Sequence, residues 1–198
     1  MKILLLDNYD SFTYNLVHLV EQFEGIDVVV RRNDELHIEE AYAFDKIILS
    51  PGPGLPSEAR ILKPLIEKMA GKKSMLGVCL GMQAIAEVFG ASLFNLDKVQ
   101  HGIASDTTVV DVEEILFKNI PRQFKSGRYH SWMVSRENLP SHFRITSVDT
   151  GNNIMSLRHT GFDLCGVQFH PESVMTEYGR EMMGNWLGSE SEVGSGSR

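Results

Sequence analysis

Cysteine is scarce: Cys79 and Cys165 are the only two in 198 residues. Two cysteines give no disulfide framework, and the expected setting is a reduced, cytoplasmic one. Basic charge is not in excess either. Lys and Arg number 19 against 26 Asp and Glu, a formal net charge of −7. That balance argues against nucleic acid or an anionic membrane as a partner. No apolar run approaches the ~20 residues that cross a bilayer. Met1–Leu6, with one lysine and Asp7 directly after it, is too short for a secretion signal. No Gly-x-Gly-x-x-Gly follows a strand, there is no Walker loop, and no Cys or His pair has metal-ligand spacing. Neither a cofactor nor a metal is therefore expected.

What is present is an ordinary globular composition, 42% hydrophobic and 23% charged. The length suits one well-buried domain, expected over residues 1–187. Residues 188–198 are Ser, Gly and Glu with one valine and read as a disordered tail or a cloning remnant. The first half alternates two periodicities. Strands are expected at Lys2–Leu6, Asp27–Val30, Lys46–Leu49 and Met75–Val78. Between them, Phe12, Leu16, Leu19, Val20 and Phe23 recur at helical spacing behind Asp10 or Ser11 as a cap. Ser57–Ala70 and Gln83–Phe89 also read as helices, the latter stopping at Gly90. Later β-branched runs, Thr107–Val112 and Phe143–Val148, predict antiparallel strands. Leu164–Phe169 predicts a further strand and Glu177–Leu187 a last helix. The expected class is α/β in three layers: a mainly parallel open sheet, helices on both faces, and a smaller antiparallel strand set.

Three segments carry chemistry. In Gly77-Val78-Cys79-Leu80-Gly81-Met82-Gln83, glycines two residues either side of a cysteine allow a sharp strand-to-helix turn. Such a turn lifts the thiol out of the backbone, as a nucleophile elbow lifts a serine. A helix N-terminus beside it favours thiolate. Seven histidines compete for the base: His18, His37, His101, His130, His142, His159 and His170. Only His170 ends a predicted strand with a carboxylate, Glu172, two residues on. Open α/β sheets place their sites at the carboxyl ends of strands, which puts Cys79 and His170 on one edge. The third segment, Ser50–Pro56, is a stiff Pro/Gly loop able to present a bare backbone N–H to a developing oxyanion. Cys165, within a strand and without flanking glycines, reads as core.

These motifs resemble the class I, triad-type glutamine amidotransferases, from Met1 to about Leu187. The resemblance implies that Cys79 attacks the carboxamide of L-glutamine, that His170 is general base and acid, and that Glu172 orients it. It implies an oxyanion hole from the amides of Gly54 and Leu80. It assigns glutamine contacts to Gly52, Pro53, Gly54, Gln83, Ser131 and Trp132. Many relatives carry leucine at the last of these positions, so Trp132 is a departure. The segment Asp7–Asn15, with Gln100-His101-Gly102 and Arg128-Tyr129-His130-Ser131, resembles the branch serving chorismate-using enzymes. That branch comprises the small subunits of anthranilate synthase, the favoured reading, and of aminodeoxychorismate synthase. It implies that the partner is a chorismate-binding synthase subunit, docked around Asp10–Tyr14 and Pro51–Pro56. A stand-alone cysteine hydrolase and a non-catalytic binding or regulatory subunit are the rival readings. The first predicts full activity without a partner; the second has no need of Cys79.

Overall fold

The computed structural model describes residues 1–96 and 100–188. In chain order the elements are β1 (Lys2–Asp7), α1 (Thr13–Val20), β2 (Asp27–Arg32), β3 (Lys46–Leu49), α2 (Leu62–Met69), β4 (Ser74–Val78) and α3 (Leu80–Val88). Then come β5 (Leu93–Asn95), β6 (Ile103–Val109), β7 (Gln123–Arg128), β8 (Trp132–Val134), β9 (Phe143–Asp149), β10 (Ile154–His159), β11 (Leu164–Val167) and α4 (Gly179–Leu187). Nine strands make one sheet in the order β2-β1-β3-β4-β11-β10-β9-β6-β7. The first five are mutually parallel, and from β11 onward every pairing is antiparallel. A separate antiparallel pair, β5 and β8, lies beside it.

Alternation along β1 sorts the core into two faces. Ile3 and Leu5 join one hydrophobic cluster with residues of α1 and α4. Leu4 and Leu6 join the other, with residues of α2 and α3. All four side chains are fully buried, which at ~25 cal/mol per Å² of apolar surface stabilises the fold by about 2 kcal/mol each. The three-layer α/β expectation holds: β10, β9, β6 and β7 extend the main sheet in antiparallel fashion, and β5 with β8 makes the small separate antiparallel pair.

The structure differs from expectation in three local places. The helix expected over Ser57–Ala70 is a short 3₁₀ turn at Pro56–Glu58, a break, and then α2. Arg60 sits in the break at φ 48°. Pro64 explains it: a helical Arg60 would put its carbonyl against the proline ring four residues on, so the helix can hold Pro64 only in its first turn. Second, α1 has no side-chain cap: Phe12 is its N-cap, while Asp10 accepts the Phe12 N–H at 2.7 Å and so shapes the preceding turn. Third, α3 opens at Leu80, three residues before the expected Gln83, because the chain turns at Cys79 itself. At the C-terminus Gly188 closes α4 in the left-handed region; the rest of the expected tail, 189–198, lies outside the described residues.

Candidate active site

The strand-to-helix turn is strained where the chemistry would be. Cys79 adopts φ 52°, ψ −103°, a region β-carbon-bearing residues rarely occupy. The flanking glycines serve a different purpose from the one expected of them. Neither Gly77 nor Gly81 takes positive φ; each removes a collision. A Cβ on Gly77 would stand 2.4 Å from the Gly81 carbonyl carbon, and one on Gly81 would stand 2.3 Å from the Leu49 oxygen. Two bare residues thus let α3 press onto β3 and β4, and the closeness forces the turn onto Cys79. The Cys79 N–H donates to the Val167 carbonyl at 2.8 Å, tying the elbow to β11. Leu80, as first residue of α3, carries an N–H that a helix leaves without an internal acceptor.

Because β4 and β11 are adjacent and parallel, pairing Val78 with Val167, their carboxyl ends deliver Cys79 and His170 to one edge. His170 Nδ1 meets Glu172 Oε1 at 2.7 Å, with side chains 2% and 0% exposed. Burial opposes charge on the imidazole, but the Cys79 sulfur and the Glu172 carboxylate outweigh it and raise the His170 pKa to about 10. His170 Nε2 nevertheless has no partner at hydrogen-bonding geometry, nor does Glu172 Oε2. The Phe12 and Tyr129 rings stand edge-on to the imidazole at 5.4 and 4.9 Å. Tyr129 is itself held by its hydroxyl contact with Ser173 at 3.2 Å.

Cys79 opens onto a cavity of about 200 Å³. Its wall contains all six residues expected to hold the substrate (Gly52, Pro53, Gly54, Gln83, Ser131 and Trp132) and adds Tyr129 and His130. Larger clefts of about 390, 490 and 500 Å³ have neither cysteine nor histidine in their walls. Of the expected oxyanion donors, Gly54 lies in the cavity wall at φ 73° and Leu80 follows the nucleophile directly. The Pro/Gly loop is pinned by the N-terminal motif: Asn8 donates its N–H to Ser50 Oγ and its Nδ2 to the Ser50 carbonyl, both at 2.9 Å. Asp7 in turn accepts from the Tyr9 N–H at 2.9 Å and the Thr13 hydroxyl at 2.7 Å. Gln83 donates to the Trp132 carbonyl at 2.8 Å, so the tryptophan contributes its backbone whatever its side chain.

Two residues of the site are missed by the sequence reasoning. Gln168, fully buried, donates to Cys79 Sγ at 3.5 Å and accepts from Gln83 at 3.1 Å. Its place two residues before His170, at the end of the same strand, is the available signal. His130 reads in the sequence as one possible base among seven and as part of the Arg128–Ser131 segment, with no role in the site; it is 5% exposed and neither ring nitrogen has a partner at hydrogen-bonding geometry. Burial first, then the Arg128 and His170 charges, lower its pKa to about 4, so the ring is neutral near pH 7. A strained cysteine, a carboxylate-bound imidazolium and a small uncharged pocket are the parts of a nucleophilic acyl-transfer site for a compact amide. Among the described residues no group of three or more His, Cys, Asp and Glu could hold a metal ion.

The model of the family described as glutamine amidotransferase class-I matches residues 4–188. Relatives share this length. Aminodeoxychorismate/anthranilate synthase component 2 of Bacillus subtilis is 42% identical over 187 residues, 93% of this chain and 95% of its own. Aminodeoxychorismate synthase component 2 of Escherichia coli is 43% identical, over 93% of this chain and 98% of its own. Anthranilate synthase component 2 of Pseudomonas aeruginosa is 42% identical, over 96% and 97%. Among solved structures, a Thermoplasma acidophilum protein described as part of a GMP synthase superposes with a TM-score of 0.85 at 26% identity, covering 95% of this chain and 92% of its own.

Proposed function

Because the chain belongs to the class-I glutamine amidotransferase family, we propose that it is the glutaminase component of a chorismate-aminating synthase, within one domain spanning residues 1–187. The observation that carries this reading is the meeting of a strained cysteine with a Glu172-bound imidazole at the ends of neighbouring parallel strands. Cys79 Sγ, as thiolate, attacks the carboxamide carbon of L-glutamine. The oxyanion is received by the N–H groups of Leu80 and Gly54. As the C–N bond breaks, His170 passes its proton to the departing nitrogen, releasing ammonia and leaving a γ-glutamyl thioester. His170, now neutral, takes a proton from water. The hydroxide equivalent attacks the thioester, and glutamate leaves as the Cys79 thiolate returns. A base whose pKa is about 10 holds its proton at pH 7, which is the state the first step requires of it.

Gln83, Ser131, Trp132 and the Gly52–Gly54 stretch hold the substrate, without cofactor or metal. The ammonia goes to a chorismate-binding subunit that docks over this edge, where Ser11, Tyr14, Pro53 and Gly54 are exposed. The cytoplasm, where thiols stay reduced, is the compartment that suits two free cysteines. Among the described residues no helix is long and apolar enough to cross a membrane. Anthranilate is the product we favour; relatives bear the names of both synthases, so aminodeoxychorismate, or service to both, stands as the second reading. The test is glutamate release from glutamine, with and without each candidate chorismate-binding subunit, for wild type and Cys79→Ser. Release that needs Cys79 and rises with one partner supports the reading and names the product. Release indifferent to Cys79→Ser contradicts it.

A further inference from the structure

Gln168 takes no part in the steps above, yet it is a fully buried carboxamide directly after β11. Burying such a group costs free energy unless its atoms find partners, and a leucine would fill the same space without that cost. The partners it has show what it is for.

Their order follows from what each group can give. The Trp132 carbonyl only accepts, so Gln83 turns its Nε2 toward it at 2.8 Å. That Nε2 only donates, and its second hydrogen meets Gln168 Oε1 at 3.1 Å. Gln168 cannot then flip. Its own Nε2, a donor with no acceptor capacity, is left facing Cys79 Sγ at 3.5 Å. The backbone fixes both residues of this contact. The Gln168 N–H donates to the Met155 carbonyl and the Cys79 N–H to the Val167 carbonyl, each at 2.8 Å.

A neutral thiol is a weak acceptor for such a donor, whereas a thiolate is a good one, because charge on the acceptor strengthens the bond. The other group aimed at this chemistry, His170 Nε2, has no partner at hydrogen-bonding geometry. The imidazolium acts on the sulfur through its charge, and the directed hydrogen bond comes from the amide.

Resting on the glutaminase reading above, we propose that Gln168 is a catalytic residue whose side-chain N–H stabilises the Cys79 thiolate, held in orientation by Gln83 of the substrate cavity. The sulfur carries negative charge twice in the cycle. It does so before attack on the carboxamide, and again when the thioester C–S bond breaks and sulfur leaves with the electron pair. The amide supports both states.

The test follows the acid limb of two pH profiles in the full chain. One is the rate at which iodoacetamide alkylates Cys79, read by mass spectrometry on the Cys79 peptide, since only the thiolate reacts. The other is kcat/KM for glutamine with the chorismate-binding subunit present. In Gln168→Leu both limbs move up by about one pH unit, the scale of one hydrogen bond to a charged group, so both rates fall about tenfold below the limb and recover above it. Gln168→Glu keeps the size and still accepts from Gln83, but it offers the sulfur no N–H and sets a carboxylate beside it. Its limbs move further, and it carries the test should Gln168→Leu fold poorly. A uniform fall at every pH with the limbs in place, which a merely structural role would give, overturns the proposal, as do unchanged profiles. Alkylation needs no glutamine, so the two claims separate. Glutamine turnover that survives Cys79→Ser removes the glutaminase reading, while the alkylation limb still decides whether Gln168 stabilises the thiolate.

Discussion

Two pairs of histidines sit at opposite ends of the sheet and live under different rules. At the carboxyl edge of the parallel strands, His170 and His130 are buried with three of their four ring nitrogens unpartnered, and their pKa values diverge to about 10 and about 4. At the far edge His142 and His159 stack at 4.9 Å among Phe89, Phe143 and Phe162. There His142 Nε2 meets the Phe89 carbonyl at 2.9 Å, and His159 Nδ1 accepts the Gly161 and Phe162 N–H groups at 3.0 and 3.1 Å. What separates the pairs is whether the fold supplies partners: the far pair is finished as structure, while the near pair is left open for chemistry. The two cysteines repeat the contrast one strand apart. Cys165 lies unstrained within β11, its thiol pushed by burial up to about 12. Cys79 faces the cavity at positive φ.

The sharpest way to break the comparison is to exchange the sulfurs for oxygen. Cys79→Ser is expected to lower glutamine hydrolysis by at least roughly 10³-fold, as removal of a triad nucleophile does. Cys165→Ser is expected to leave kcat/KM within about threefold and to cost about 1–3 kcal/mol in denaturant unfolding, since its hydroxyl would be buried in an apolar strand. Equal losses of activity would erase the distinction.

Next in size is Glu172→Gln, expected to lower kcat roughly 10²-fold, the scale of general acid–base assistance. Glu172 raises the His170 pKa, so its removal lowers that pKa. The alkaline limb of the rate profile, set near pH 10 where His170 loses its proton, then moves to lower pH. A limb that stays in place would detach Glu172 from the imidazole.

The smaller effects are on stability. His130 has a folded pKa of about 4 against about 6.5 unfolded, so between those values the unfolded chain binds a proton that the folded chain does not. Stability therefore falls as pH drops from about 6.5 to about 4, by up to about 3 kcal/mol from this residue. Urea unfolding across that window should be distinctly less pH-sensitive in His130→Gln. His159→Leu, which strands the Gly161 and Phe162 donors, is expected to cost about 2 kcal/mol while leaving kcat/KM within about twofold. A large loss of activity from His159→Leu would show that the far pair is not merely structural.

Much of this is legible in the sequence because the signals are local. Period-two and helical spacing place the strand–helix alternation, and a cysteine between two glycines after an apolar strand marks the elbow. A histidine at a strand end with a carboxylate two residues on marks the base. One miss is local: Pro64, through its ring's reach back to Arg60, already fixes where α2 can begin. The other misses are tertiary. The purpose of Gly77 and Gly81 depends on how close α3 lies to β3, which no spacing reveals. Gln168 and His130 acquire meaning from what surrounds them: one touches the sulfur, and the other has two ring nitrogens that meet no partner. The antiparallel half joins the same sheet because β11 pairs with the distant β4, a non-local choice.

The central claim is that one thiol, Cys79, is built for attack on glutamine while its buried neighbour is not. It is tested most directly by treating the complex with a diazoketone analogue of glutamine and mapping the modified residue by mass spectrometry. A single covalent adduct on Cys79, slowed by excess glutamine and absent in Cys79→Ser, is the predicted result. An adduct on Cys165, or labelling of Cys79 that glutamine does not slow, would contradict it.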